Sequence, residues 1–224
     1  MKYAVNDVYP AIQGEGCMTG TPMLLVRLHG CPVGCPFCDT KETWIADPAK
    51  QVDSIDEALG TNEAWAEVDA VTLAMYVSCQ RRDHLFQWVL LTGGEPALQD
   101  LAPLVELLHL ADLKVALETS GTAEGHLHTR IDWCCVSPKI AMPGKRVISP
   151  RAVKSAHEVK FVIGKEADLI AVESFLHRYP LRGGATVCLQ PMSGSAKATA
   201  LSTEACLARG WRLSIQTHKT IGLR

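Results

Sequence analysis

Three cysteines, Cys31, Cys35 and Cys38, fall within eight residues of the stretch LHGCPVGCPFCDTKETW (28–44). Glycine and proline surround them, which makes the stretch a poor structural core. Three thiolates from one tight loop are a metal-ligand set. A zinc ion held there would need a fourth protein ligand, such as His29 or a later cysteine, to close a tetrahedral structural site. An iron–sulfur cluster, which normally takes four thiolates, would instead keep one iron with an open position, where chemistry can happen. Both readings stand at this point.

A second group of chemically capable residues follows short apolar runs. Arg27 interrupts the run LLVRLH, where an unpaired buried cation would cost several kcal/mol and a substrate carboxylate could offset it by bidentate pairing; an internal partner such as Glu15 or Glu118 is the alternative. TGGEP (92–96), ETSGT (118–122), SPK (137–139) and QPMSGS (190–195) each close a run in the same way. The runs themselves, 23–29, 88–94, 113–119, 132–138, 158–163 and 186–191, are β-branched or leucine-rich and nearly all apolar, as in strands of a parallel sheet covered by helices. Amphipathic patterns at 98–111, 166–179 and 202–210 lie between them, the last closing on a glycine as helices often do. Repeated β-then-α units define an α/β fold. About six units are too few for a closed eight-stranded barrel and suit an incomplete barrel or an open doubly wound sheet; in either, polar residues after the strand carboxyl ends share one rim.

At 224 residues the chain has length for one substantial core, and a single domain over 1–224 is expected. Hydrophobic residues make up 47% and charged ones 21%, as in ordinary globular proteins. A net charge of −2 gives no electrostatic footprint for nucleic acid or an anionic membrane. No apolar run reaches the roughly 18 residues of a membrane span, and the first residues lack a signal-peptide pattern, so a cytoplasmic protein is expected. Nine cysteines in a reducing compartment argue against a disulfide framework. Cys17, Cys79, Cys134, Cys135, Cys188 and Cys206 repeat no ligand spacing and read as small core or surface residues. The sparse pattern at 64–85, within a less informative segment 41–87, reads as a helix over the early strands.

The Cys-x3-Cys-x2-Cys loop after the first such run, with Phe37 before the last cysteine, resembles the radical S-adenosylmethionine (SAM) superfamily, and TGGEP resembles its glycine-rich motif. QGEG (13–16), RLHGCPVGCPFCDT (27–40), Trp44, LTGGEP, ETSGT, SPK, QPM and the terminal QTHK resemble the 7-carboxy-7-deazaguanine synthases across nearly the whole chain. Pro36 and Phe37 stand where that family more commonly has alanine and tryptophan; the proline stiffens the loop.

The resemblance implies an incomplete (β/α)6 barrel of the radical SAM type, a [4Fe-4S] cluster on Cys31, Cys35 and Cys38, SAM on the cluster's open iron, and Mg2+ at the Thr40 hydroxyl. It implies conversion of 6-carboxy-5,6,7,8-tetrahydropterin to 7-carboxy-7-deazaguanine with loss of ammonia, through a 5′-deoxyadenosyl radical that takes hydrogen from carbon 6 and later returns it. The product leads to the modified tRNA base queuosine, although the enzyme acts on a free pterin. SAM contacts are implied at Phe37, Cys38, Asp39, Gly94 and Glu95, along Val136, Ser137 and Pro138, and along Gln190, Pro191, Met192 and Ser193. Pterin contacts are implied at Ile12, Gln13, Gly14, Glu15, Arg27, Thr92 and His218, with Glu118 and Ser120 as further pocket residues; Lys139 is another candidate for the SAM carboxylate, and Asp39 alternatively caps a turn. A flavodoxin-like reductant and a homodimer complete the family picture. Two other readings remain: a radical SAM activase acting on a partner protein's glycine, and a zinc or iron–sulfur sensor without SAM chemistry.

Overall fold

The computed structural model describes residues 1–61 and 63–222. It opens with β1 (Lys2–Ile12), a strand that the apolar-run pattern did not mark, hydrogen-bonded antiparallel to β2 (Pro22–Leu28). Next come the two-residue β3 (Gln51–Val52), a single turn α1 (Ile55–Ala58), β4 (Trp65–Asp69) and α2 (Ala70–Gln80). The expected helix over 64–85 is therefore a strand followed by a helix. Glu67 and Asp69 point out while Ala66 and Val68 are buried, the period of two that fits β4 antiparallel to β1. Asp69 ends the strand and starts α2 by accepting the Thr72 amide at 2.8 Å.

Strands and helices then alternate, except that β6 leads to β7 without a helix between: β5 (Trp88–Gly93), α3 (Ala102–Leu110), β6 (Lys114–Thr119), β7 (Trp133–Val136), α4 (Pro150–Ser155), β8 (Glu158–Ile163), α5 (Glu166–Arg178), β9 (Thr186–Pro191) and α6 (Ala196–Arg209). Gly210 closes α6 in the left-handed conformation, φ 67°. A short β10 (Arg212–Leu213) and a turn of helix α7 (Thr217–Thr220) follow. One mixed ten-stranded sheet results, in the order β10-β9-β8-β7-β6-β5-β2-β1-β4-β3. From β2 through β5 to β9 the strands are parallel and run in chain order without a reversal.

Side chains alternate between two unlike faces. On one, Val89, Leu91, Val115, Leu117, Val159 and Phe161 pack with Leu104, Leu108, Val172 and Phe175 of the helices, forming the main core. Each such side chain fully buried stabilises the fold by about 1.5–3 kcal/mol. The other face carries a small apolar cluster of Met23, Leu90 and Ala116 near the strand amino ends, backed by Leu25, Trp88 and Trp133. Further along the same face come Arg27, Thr92, Glu118, Lys160 and Gln190. That change from apolar to polar along one face sets where a ligand can sit.

Candidate active site

The cysteine loop leaves β2 and is held by backbone hydrogen bonds on both sides. Gly30 and Cys31 donate to the Thr43 and Trp44 carbonyls at 2.7 and 2.9 Å, and Gly144 donates to the Val33 carbonyl at 3.0 Å. The TGGEP turn docks from β5: the Gly94 amide meets the Leu28 carbonyl and the Glu95 amide meets the Gly30 carbonyl, both at 2.8 Å. Gly94 has to be glycine here, because a Cβ would lie 2.3 Å from the Gly30 oxygen. The two motifs are thereby one rigid unit.

Cys31, Cys35 and Cys38 are free thiols and all three line one cavity of about 710 Å³, in the range of small-molecule sites. Burial pushes the Cys31 thiol up to about 11 and raises Cys35 too, so a metal must displace protons to bind. The Trp44 indole donates to Cys38 Sγ at 3.4 Å, the kind of hydrogen bond that tunes a cluster sulfur. The three sulfurs are not gathered within 4.8 Å of one another, whereas a single tetrahedral zinc would draw thiolates to about 3.8 Å apart. The donor set fits a cluster in which separate irons take one thiolate each. His29, the alternative fourth ligand, is 4% exposed, donates from Nε2 to the Ile45 carbonyl at 2.8 Å, stacks on Trp65 and does not line the cavity.

Across the cavity, the loop after β1 supplies Ile12, Gln13, Gly14 and Glu15. It is fastened to the chain's last described segment: Thr217 donates through its amide and its hydroxyl to the Gly14 carbonyl at 3.0 and 3.1 Å, and Gln216 Nε2 donates to Glu15 at 2.6 Å. His218 packs so closely that a Cβ on Gly14 would sit 2.0 Å from its Nδ1. Beneath this loop Lys160 of β8, with 5% of its side chain exposed, pairs with Glu15 and lies 3.5 Å from Glu118, which also accepts from Gln13 at 3.2 Å. Burial opposes the Glu15 charge, but Lys160 and the Gln216 hydrogen bond outweigh it and hold the carboxyl down at about 2. Burial likewise opposes the Lys160 charge, and Glu118 and Glu15 more than offset it, raising Lys160 well above its ordinary range.

Arg27 and Thr92 stand side by side on β2 and β5 and face the same cavity. Neither Glu15 nor Glu118 neutralises Arg27, since both turn to Lys160; its Nη2 donates to the Tyr9 hydroxyl at 3.2 Å, and among the described residues no carboxylate lies within 4.0 Å of it. Phe37, Asp39, Thr40, Gly94, Ser137, Gln190, Pro191, Met192, Ser193 and His218 line the cavity as well. Thr40 Oγ1 is 3.6 Å from Cys38 Sγ, and Lys219 of α7 reaches Asp39 at 3.3 Å, tying the cluster loop to the chain end. Lys139 lies over the Phe37 ring at 5.6 Å and donates to Ser137 at 3.0 Å.

Three expected contacts lie behind the cavity wall. Val136 is fully buried, Pro138 is buried beside it, and of that segment only Ser137 reaches the cavity lining. Glu95 is 1% exposed and its carboxylate is occupied internally, accepting from Thr119 Oγ1 at 2.6 Å, the Ser120 amide at 2.7 Å, the Ser120 hydroxyl and the Ala97 amide at 3.0 Å. It splices TGGEP to ETSGT and presents no free oxygen to a ligand. Sequence reasoning missed Lys160, although it breaks the apolar run EVKFVI just as Arg27 breaks its own.

A loop of three cysteines at the end of a parallel strand, docked on a glycine-rich turn and facing a polar cavity, is the arrangement of the radical SAM class. A scan against protein-family models found no match. The chain is 37% identical to the 7-carboxy-7-deazaguanine synthase of Escherichia coli (strain K12) over the full length of both, and 32% identical to that of Buchnera aphidicola over the same extent. A solved structure, described as the crystal structure of QueE from Escherichia coli, superposes with a TM-score of 0.87 at 36% identity, over 96% of this chain and 94% of that one. The chain belongs to the 7-carboxy-7-deazaguanine synthase family.

Proposed function

We infer that the cavity is where 6-carboxy-5,6,7,8-tetrahydropterin becomes 7-carboxy-7-deazaguanine, with loss of ammonia. The observation that carries this is the pairing of three cysteines on one wall with a second wall built to read a polar heterocycle bearing a carboxylate. A [4Fe-4S] cluster on Cys31, Cys35 and Cys38, with SAM bound, supplies the radical hydrogen abstraction. The chain's own residues bind and orient. Arg27 takes the substrate carboxylate, since it is held by Tyr9 and has donors to spare. Glu15, kept ionised by Lys160, accepts hydrogen bonds from the amino and ring N–H edge of the pterin, and Glu118, anchored by Gln13 and Lys160, limits its tilt. Ile12, Gln13, Gly14, Thr92 and His218 complete this wall, while Phe37, Asp39, Gly94, Ser137 and the 190–193 segment flank the SAM side. The apolar floor of Met23, Leu25 and Leu90 leaves water little to hydrogen-bond beneath the reacting ring.

Mg2+ at the Thr40 hydroxyl is part of this reading; water and substrate oxygens fill the remaining octahedral positions. The chain-order run of parallel strands, with helices packed against one face and the cavity on the other, supports the incomplete (β/α)6 barrel and a single domain over 1–224. No helix among the described residues is long and apolar enough to cross a membrane. A cytoplasmic location, a flavodoxin-like reductant and a homodimer belong to this proposal.

The test is anaerobic: reconstitute iron and sulfide, add SAM, reductant, Mg2+ and the pterin, and follow product mass with the ultraviolet spectrum. Product over many turnovers without matching accumulation of 5′-deoxyadenosine is expected. Thr40→Ala lowers turnover and removes its dependence on added Mg2+. Deoxyadenosine with the pterin untouched overturns the substrate assignment, and a zinc protein without SAM chemistry overturns the whole reading.

A further inference from the structure

On the face that carries the cavity, one layer below Lys160, three further cysteines surround a single carboxylate. Cys17 sits in the helical turn 16–18 just after the Gln13–Glu15 loop, Cys188 on β9 and Cys135 on β7. The Glu158 carboxylate of β8 points between them: the donor atoms of Cys17, Cys188 and Glu158 all lie within 4.8 Å of one another. Cys17 Sγ and Cys188 Sγ are 3.9 Å apart, the Cys17 amide donates to Glu158 Oε2 at 2.8 Å, and Cys135 Sγ is 3.6 Å from Oε1. These cysteines share no local spacing in sequence. The sheet alone gathers them.

We propose that Cys17, Cys188 and Glu158 form a second metal site, distinct from the cluster loop, that takes a thiophilic divalent cation of the zinc type. Three observations carry it. First, the geometry fits one ion: zinc–thiolate bonds of about 2.3 Å at tetrahedral angles place two sulfurs about 3.8 Å apart, and the pair is found at 3.9 Å. Second, Glu158 is 2% exposed, and among the described residues no lysine, arginine or histidine lies within 4.0 Å of it. Buried charges of this kind are paired or bind metal, and besides the Cys17 amide its nearest partners are thiols. Third, the charge balances. When the dication enters, the two thiols release their protons to solvent, so the site keeps the formal charge that Glu158 alone gives it.

The consequence falls on the substrate wall. The turn that carries Cys17 follows Glu15 directly, and Gly16 is pressed against Glu158 so that a Cβ would meet its Oε1 at 2.1 Å. A metal here staples the loop after β1 to β8 and β9, which supply Lys160 and Gln190. It fixes the position of Glu15 without touching the pterin.

The cluster-loaded full-length protein is to be assayed for zinc by plasma mass spectrometry, beside a Cys31→Ala/Cys35→Ala/Cys38→Ala variant and a Cys17→Ala/Cys188→Ala variant. About one zinc per chain is expected in the first two and a loss of at least tenfold in the third. Cobalt exchanged into the wild type should give thiolate charge-transfer bands that the third protein lacks. Should the double variant fail to fold, Cys17→Ser alone serves, with circular dichroism confirming the fold. Zinc absent from the wild type, zinc lost with the cluster cysteines, zinc kept by the Cys17 variants, or a Cys17–Cys188 disulfide found by peptide mapping overturns the proposal.

Discussion

Removing the charge of Lys160 tests the electrostatic logic of the site most directly. Lys160→Met keeps most of the side-chain volume but leaves Glu15 buried without its cation. In the wild type the Glu15 carboxyl sits at about 2 instead of 4.5, and a difference of that size corresponds to about 3 kcal/mol of favourable interaction with the ionised form. Breaking a buried pair by deleting one partner costs about 3–5 kcal/mol, which agrees. For a domain with about 5–15 kcal/mol of stability the variant still folds, with a melting temperature lowered by about 6–12 °C. The pH dependence separates this cause from simple repacking. In the wild type the Glu15 contribution is complete above pH 4.5 and is lost as pH falls toward 2. Without Lys160, burial is opposed only by the Gln216 hydrogen bond and His218, so the folded pKa rises and the cost of keeping Glu15 ionised at neutral pH shrinks on acidification. Urea unfolding at pH 7 and pH 4 should therefore show a large gap between wild type and variant that narrows in acid, and Lys160→Met/Glu15→Gln should recover much of the loss at pH 7. A variant as stable as the wild type at pH 7, or a gap that does not change with pH, refutes the reasoning.

Arg27→Met removes a charged hydrogen-bonding pair of about 1.5–3 kcal/mol, raising KM for the pterin about tenfold or more in steady-state assays while cluster content is unchanged. Gly94→Ala drives a methyl into the Gly30 carbonyl 2.3 Å away, which separates the turn from the cysteine loop; reconstituted iron and SAM cleavage should both fall, measured by iron analysis and deoxyadenosine formation. Glu95→Ala strands the donors of Thr119, Ser120 and Ala97, and because each buried unsatisfied donor costs about 1–3 kcal/mol the main effect should be a lower melting temperature.

The parts of the fold that were legible are those where one physical signal dominates. Runs such as VKFVI and VALE are apolar on both faces over most of their length, so they announce buried parallel strands, and β8 and β9 begin and end where the runs do. β1 was not legible, because buried polar Asn6 and Asp7 interrupt the apolar run between its core residues Val5 and Val8. β4 was hidden in what reads as helix since its five residues run into α2 without a break. In the site, motif spacing brought out the cysteines, the glycine-rich turn and the 190–193 loop. Spacing had no access to Glu95's internal role, which depends on ETSGT arriving at its carboxylate, nor to Cys17, Cys135 and Cys188, which meet only across the sheet.

A charge in an apolar strand is itself a sequence signal, because burying it unpaired costs several kcal/mol. Arg27, Glu118, Glu158 and Lys160 each sit in a run otherwise fit for a core, and each faces the cavity side of the sheet, where the pairings Cys135 with Glu158 and Lys160 with Cys188 place them in adjoining rows. A sheet face that were merely core would have gained stability by filling those positions with Val or Leu, at about 25 cal/mol for every Å² removed from water. Instead, on β2, β5 and β6 the face runs from Met23, Leu90 and Ala116 near the amino ends to Arg27, Thr92 and Glu118 near the carboxyl ends. The gradient gives the cavity a dry floor and a charged mouth in a single fold element. On the function and the metal site proposed above, these polar residues are there for what they hold: a pterin at Arg27 and Glu15, the position of Glu15 at Lys160, and a metal at Glu158.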